Sequence, residues 1–135
     1  MPQYGDELIS TFTTPSQLAW GTYRRTNNRP HRNGESYIPI HRADARRLHL
    51  CNQNNGNGLG LNIYNVTSSD GTFSGQLKTA GGIRRGDIFA KQFEGSGNLR
   101  LLTPWLQSHH AQVGDSVLFH WTSPTDIVMT FISNH

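Results

Sequence analysis

From Tyr23 to Arg32 the chain reads Tyr-Arg-Arg-Thr-Asn-Asn-Arg-Pro-His-Arg, with four arginines, two asparagines, one histidine and no acid. Guanidinium groups pair bidentately with phosphates and guanine edges, and carboxamides pair with adenine edges. The chemistry this segment offers is therefore recognition of a polyanion, with a nucleic acid as the best fit. Charge is distributed in the same sense. Residues 24–47 hold seven arginines against Glu35 and Asp44, and residues 78–91 hold Lys78, Arg84, Arg85 and Lys91 against Asp87. Elsewhere Arg100 stands alone against six acids, so the net charge of +3 conceals two positive islands on a negative body. Concentrated charge steers an anionic partner where a diffuse excess does not. Ten of the twelve basic residues are arginine, the side chain suited to bidentate contacts.

Catalytic patterns are missing. A magnesium nuclease needs clustered acids and an acid-x-lysine pair, because hard cations take oxygen ligands and a lysine helps activate water. The two lysines, Lys78 and Lys91, do not follow an acid by two positions, and the acids are scattered singly. The histidines His31, His41, His49, His109, His110, His120 and His135 show no zinc spacing with cysteine or acid. No Gly-x-Ser-x-Gly elbow occurs, and Gly56-Asn-Gly-Leu-Gly60 lacks the lysine of a phosphate loop. We expect no catalytic residues, no metal and no cofactor. The lone Cys51 reads as a buried small residue and fits a reducing cytoplasm.

The elements that must carry the basic segments read as β. At 135 residues the chain is expected to form one domain with its own core. Glycine-rich turns separate short apolar or alternating runs, as in a small sandwich or barrel. Strands are expected near Leu8–Thr13, Tyr37–Ile40, Gly60–Val66, Thr72–Leu77, Asp87–Phe93, Asn98–Leu102, Val117–Trp121 and Ile127–Ile132. A helix is expected at Arg42–Leu48 from its helix formers, and a second at Trp105–Ala111, with Pro104 in its first turn and Thr103 as cap. Asn52–Gly58 is low in complexity and reads as a mobile loop. The expected core is Ile38, Ile40, Leu48, Leu61, Ile63, Val66, Phe89, Leu99, Leu101, Val113, Val117, Phe119, Ile127, Met129 and Phe131, with Trp105 and Trp121 in the core or at its rim. There is no apolar run long enough to span a bilayer, and Met-Pro-Gln-Tyr-Gly-Asp-Glu does not read as a signal peptide. We expect a cytoplasmic protein without membrane contact.

The order of pieces resembles the B3-like DNA-binding domains shared by plant transcription factors and by effector domains of bacterial restriction endonucleases. Leu8–Phe12 leads into Thr14-Pro-Ser16 and a polar loop, followed by Tyr37-Ile-Pro39 and the helical Arg42–Leu48. Later, Thr103-Pro-Trp-Leu106 and Val113-Gly-Asp-Ser-Val-Leu-Phe119 are similar to that family's tryptophan turn and strand entry. Each motif is short, and their order over nearly the whole chain carries the likeness. Ser36-Tyr-Ile-Pro39 is most similar to the amino-terminal effector domain of EcoRII-type restriction enzymes. The longer arginine-rich loop departs from the plant pattern.

This resemblance implies a mainly β fold with one or two short helices, an open β-barrel (pseudobarrel) gripping double-stranded DNA with two arms in the major groove. The N-arm would carry Trp20, Tyr23, Arg24, Arg25, Asn27, Asn28, Arg29, His31, Arg32 and Asn33. The C-arm would carry Gln76, Lys78, Thr79, Arg84, Arg85 and Lys91. Arginines would divide between guanine edges and phosphates, carboxamides would read adenine or cytosine, and the lysines would position phosphate. Gly81 and Gly82 would let the C-arm bend. Trp20 has two readings, an anchor for the loop or a group pressed on DNA. Arg42, Arg46 and Arg47 either touch flanking backbone or are simply solvated. The chain would be a monomeric N-terminal module fused to a nuclease domain elsewhere, and a CCWGG site is the guess this likeness offers. An RNA- or polyanion-binding β-module is the alternative, and a B3-type transcription regulator a lesser one.

Overall fold

Alternation between polar and apolar residues shapes the first strand. In β1 (Glu7–Thr11) Leu8 and Ser10 turn inward while Glu7, Ile9 and Thr11 stay exposed. The computed structural model describes residues 2–13 and 35–134. After β1 come β2 (Ile38–Pro39), helix α1 (Arg42–Leu48), β3 (Ile63–Ser68), β4 (Ser74–Ala80), β5 (Gln92–Gly95), helix α2 (Thr103–Ser108), β6 (Ser116–Ser123) and β7 (Asp126–Ile132). The strands form one seven-stranded sheet in the order β1-β6-β7-β3-β4-β5-β2. All neighbours are antiparallel except β3 and β7. The edge strands meet where the Ser10 hydroxyl donates to the Pro39 carbonyl, so the sheet curls into a nearly closed barrel. The fold is thus mainly β, a barrel-like sheet with two short helices among the described residues.

The core fills this barrel. Phe93 and Phe119 stack with centroids 4.2 Å apart, and Tyr64 meets Trp121 edge-on at 5.8 Å. Ile38, Val66, Val117, Ile127 and Met129 join them, as expected, and Trp105 and Trp121 are buried. Leu8, Phe12, Phe73, Leu77 and Leu102 are further core residues. Two expected core members are on the surface, Leu61 at 42% exposure and Val113 at 49%. Leu61 sits in a turn closed by Asn62, whose Oδ1 accepts the Gly58 amide. Val113 lies in the turn before β6.

Side chains that bond the local backbone decide where the other expectations shift. No strand forms at Asn98–Leu102, because Asn98 Oδ1 takes the Arg100 amide and its carbonyl takes that of Leu101, closing a turn. Only the last part of the run expected over Asp87–Phe93 is strand, since Asp87 Oδ1 captures the Phe89 amide. Helix α2 starts at Thr103 itself, without a side-chain cap, and Pro104 occupies its first turn. The Thr103 hydroxyl lies 2.7 Å from that of Ser36. No helix among the described residues is long and apolar enough to cross a membrane.

Candidate nucleic-acid interface

The described residues on either side of segment 14–34 are tied to the barrel. On the β1 side, the Phe12 amide donates to the Asp115 carbonyl at 3.0 Å, and the Gly114 amide donates to that of Phe12 at 2.8 Å. On the β2 side, the Ser36 amide donates to the Leu99 carbonyl at 3.2 Å. Glu35 is buried there, and its Oε2 accepts the Tyr37 hydroxyl at 2.7 Å. The N-arm candidates Trp20, Tyr23, Arg24, Arg25, Asn27, Asn28, Arg29, His31, Arg32 and Asn33 lie outside the described residues. Beside Glu35 opens a hollow of about 650 Å³ lined by Lys78, Glu94, Asn98 and Arg100. Lys78 stands directly opposite Glu94 across the β4–β5 ladder. This rim combines cationic and anionic groups.

Arg84 and Arg85 occupy a different place. They sit on a single 3-10 turn, Ile83–Arg85, bracketed by Gly82 and Gly86 in left-handed conformation (φ 84° and 72°). Residues favouring positive φ other than glycine are few, so the sequence Gly-Ile-Arg-Arg-Gly specifies this turn locally. Fully buried Asn52 donates to the carbonyls of Gly81 and Asp87, each at 2.8 Å. Asn54 donates to those of Ile83 and Asp87 at 3.0 and 2.9 Å. The segment expected to bend as a C-arm is instead pinned through its carbonyls to the body. The pin comes from Asn52–Gly58, expected as a mobile loop, whose Gln53–Asn55 form a 3-10 turn of their own.

Electrostatics keep this turn positive. Asp87, its nearest acid, accepts the Phe89 amide and then the Arg42 guanidinium at 2.7 Å, and both hold its carboxyl below the usual range. Arg84, Arg85 and Lys91 are exposed, and none makes an ion pair among the described residues. Lys91 flanks the turn, since a Cβ on Gly81 would come within 3.0 Å of its own. On α1, Asp44 is matched by Arg47 at 3.0 Å, while Arg46 lies one turn beyond Arg42 on the same face.

The expected C-arm set is thus divided. Arg84, Arg85 and Lys91 come together at the C-terminal end of β4, and Lys78 faces the hollow beside Glu35. Gln76 is on the outer sheet face, its amide donating to Asn65, which donates in turn to Asp126. Thr79 requires a correction, because it is fully buried and its hydroxyl donates to the Cys51 carbonyl at 2.6 Å. Its strand partner Phe93 faces the core, which turns Thr79 inward and away from any ligand. Cys51 itself is buried, and burial pushes its thiol up. Sequence reasoning missed Asn52 and Asn54, hidden in a run of asparagines, and Asn98 and Arg100, which the preceding Gly95-Ser-Gly97 turn signal could have marked as a rim. No protein-family model matches this chain, and no curated protein matches it.

Proposed function

We propose that this domain binds double-stranded DNA sequence-specifically through the major groove, as the target-recognition module of a restriction endonuclease whose cutting domain lies elsewhere. The observation that carries this reading is the mounting of the arginine-rich segment. Arg24, Arg25, Arg29 and Arg32 belong to the connection between β1 and β2, two edge strands joined to each other by Ser10 and Pro39. Fixed ends lower the ordering cost when a basic segment engages DNA. Asn98, Arg100, Lys78 and Glu94 stand beside the β2 end of that segment and supply neighbouring donors and acceptors. The restriction setting rests on the resemblance of Ser36-Tyr-Ile-Pro39 and of the element order, and it is the finer part of the reading.

Selection from random duplexes, with a CCWGG duplex included, tests it. The expected result is enrichment of one short sequence, bound with an affinity that falls steeply as salt rises, because each neutralised phosphate releases counterions. No enrichment, a flat salt response, or tighter binding of single-stranded RNA overturns the proposal.

A further inference from the structure

We propose that the free edge of β1 is a docking groove for an extended basic peptide of another polypeptide, which adds to the sheet as a strand. β1 ends the strand order on one side and pairs with β6 alone. Register decides which of its backbone groups that pairing uses. The Phe12 amide donates to the Asp115 carbonyl, and the Asp6 carbonyl accepts the Trp121 amide at 2.9 Å, so the even-numbered residues bond β6. The amides and carbonyls of Glu7, Ile9 and Thr11 therefore point to the seam. The Glu7 carbonyl bears this out, since it accepts the Arg47 guanidinium of α1 at 2.9 Å. Across the seam β2 pairs with β5, and Pro39 has no N–H to offer. The tie between the two edges comes from the Ser10 side chain, which leaves the Ile9 and Thr11 backbone groups without a partner strand.

Beside this edge runs a groove of about 410 Å³, with Ile9 and Thr11 on one wall and Pro39, His41 and Asp44 on the other. An exposed Ile9 is ordinary by itself, but an unpaired edge beside it is a template for another strand. Backbone bonds to such an edge supply affinity, and the flanking side chains supply selectivity. Strands in a sheet lie about 4.8 Å apart, so a groove whose second wall is β2 and α1 admits one extended chain. A second copy of this protein would bring a whole barrel against that wall and fits less well. Opposite Ile9 a β-branched residue packs best. At the Glu7 end, Arg47 reaches both the Glu7 carbonyl and the Asp44 carboxylate, so two acids surround one base. Glu7 itself is hydrogen-bonded to the His120 ring. That balance selects a lysine or arginine in the peptide over an acid.

The experiment titrates the full chain into a fluorescein-labelled Lys-Val-Thr-Val-Thr-Val peptide, read by anisotropy. Saturable binding is expected, weakened several-fold when glutamate replaces the lysine. An added strand bonds the edge through every second residue. N-methylation of one alternate set of peptide amides should therefore weaken binding at least tenfold, while methylation of the other set leaves it unchanged. Thr11→Pro removes an edge amide that β6 does not use, and Ile9→Lys sets a like charge against the basic peptide. Each should weaken binding at least tenfold, with folding checked by thermal melting. Should Thr11→Pro melt early, the exposed Ile9→Lys site carries the test. No saturable binding, tolerance of both methylated sets, or unchanged binding by Ile9→Lys would overturn the inference. So would a dimer of the chain alone that Thr11→Pro dissolves, since the edge would then belong to a second copy. The inference does not rest on duplex recognition. A selection that enriches no duplex leaves the edge site standing, and loss of the peptide site leaves duplex recognition standing.

Discussion

Asn52 carries no charge, yet it determines where two charges sit. Its amide nitrogen serves two backbone carbonyls on the arginine turn, and its Oδ1 takes the Asn54 amide at 2.9 Å, starting the turn that brings Asn54 to the same loop. A buried carboxamide satisfied on both sides is costly to replace, because each orphaned partner keeps its desolvation penalty. Asn52→Ala should destabilise the fold by about 1–3 kcal/mol in urea denaturation. Asn52→Asp should be worse than alanine near neutral pH, since it sets a carboxylate against the Gly81 and Asp87 carbonyls. Aspartate tolerated as well as asparagine would show that donation from the amide is not what holds the turn.

Between elements, the clearest tie joins α2 to the β3–β4 turn. His109, just past α2, stacks on Phe131 at 4.7 Å, meets Trp105 edge-on at 5.0 Å and sets Nε2 2.8 Å from Asp70 Oδ2. Asp70 closes its own turn as well. The Ser68 hydroxyl, the Thr72 hydroxyl and the Thr72 amide all donate to it, and with His109 they hold its carboxyl well below the ordinary range. A depressed carboxyl stabilises the fold fully above its unfolded value near pH 4, and that contribution disappears as pH falls below it. Thermal melts of Asp70→Asn should therefore lie below wild type at pH 6 and converge on it towards pH 2. Parallel curves over that range would remove the carboxylate from the account. Elements of this size were unevenly legible in the sequence. Helix α1 was readable to the residue, because Arg42–Leu48 combines helix formers with inward Ala45 and Leu48. The turn at Asn98 was not, since Leu99 and Leu101 mimic strand alternation and the competing bond from the asparagine side chain is invisible to a pattern of polarity. The arginine turn was legible as charge but not in what holds it, for the asparagines that pin it lie about thirty residues upstream.

At the scale of the whole molecule, closure of the barrel and presentation of the basic segment are one problem. The sheet runs through seven strands and brings β1 and β2 together at its open seam, where the Ser10 hydroxyl reaches the Pro39 carbonyl. Segment 14–34 connects the same two strands, so the seam fixes the separation of its ends. A negative body with local positive charge makes that geometry matter more than total charge, which at +3 would bind DNA weakly if spread evenly. Ser10→Ala removes the tie without touching a basic residue. Because Ser10 is buried, its removal should lower stability by about 0.5–1.5 kcal/mol in urea with an unchanged m-value. Loosened ends raise the ordering cost on binding, so affinity for the selected duplex should fall several-fold while the salt slope, set by the number of neutralised phosphates, stays the same. A reduced slope would instead mean that fewer phosphates are neutralised, and unchanged affinity would show that the seam does not position the segment.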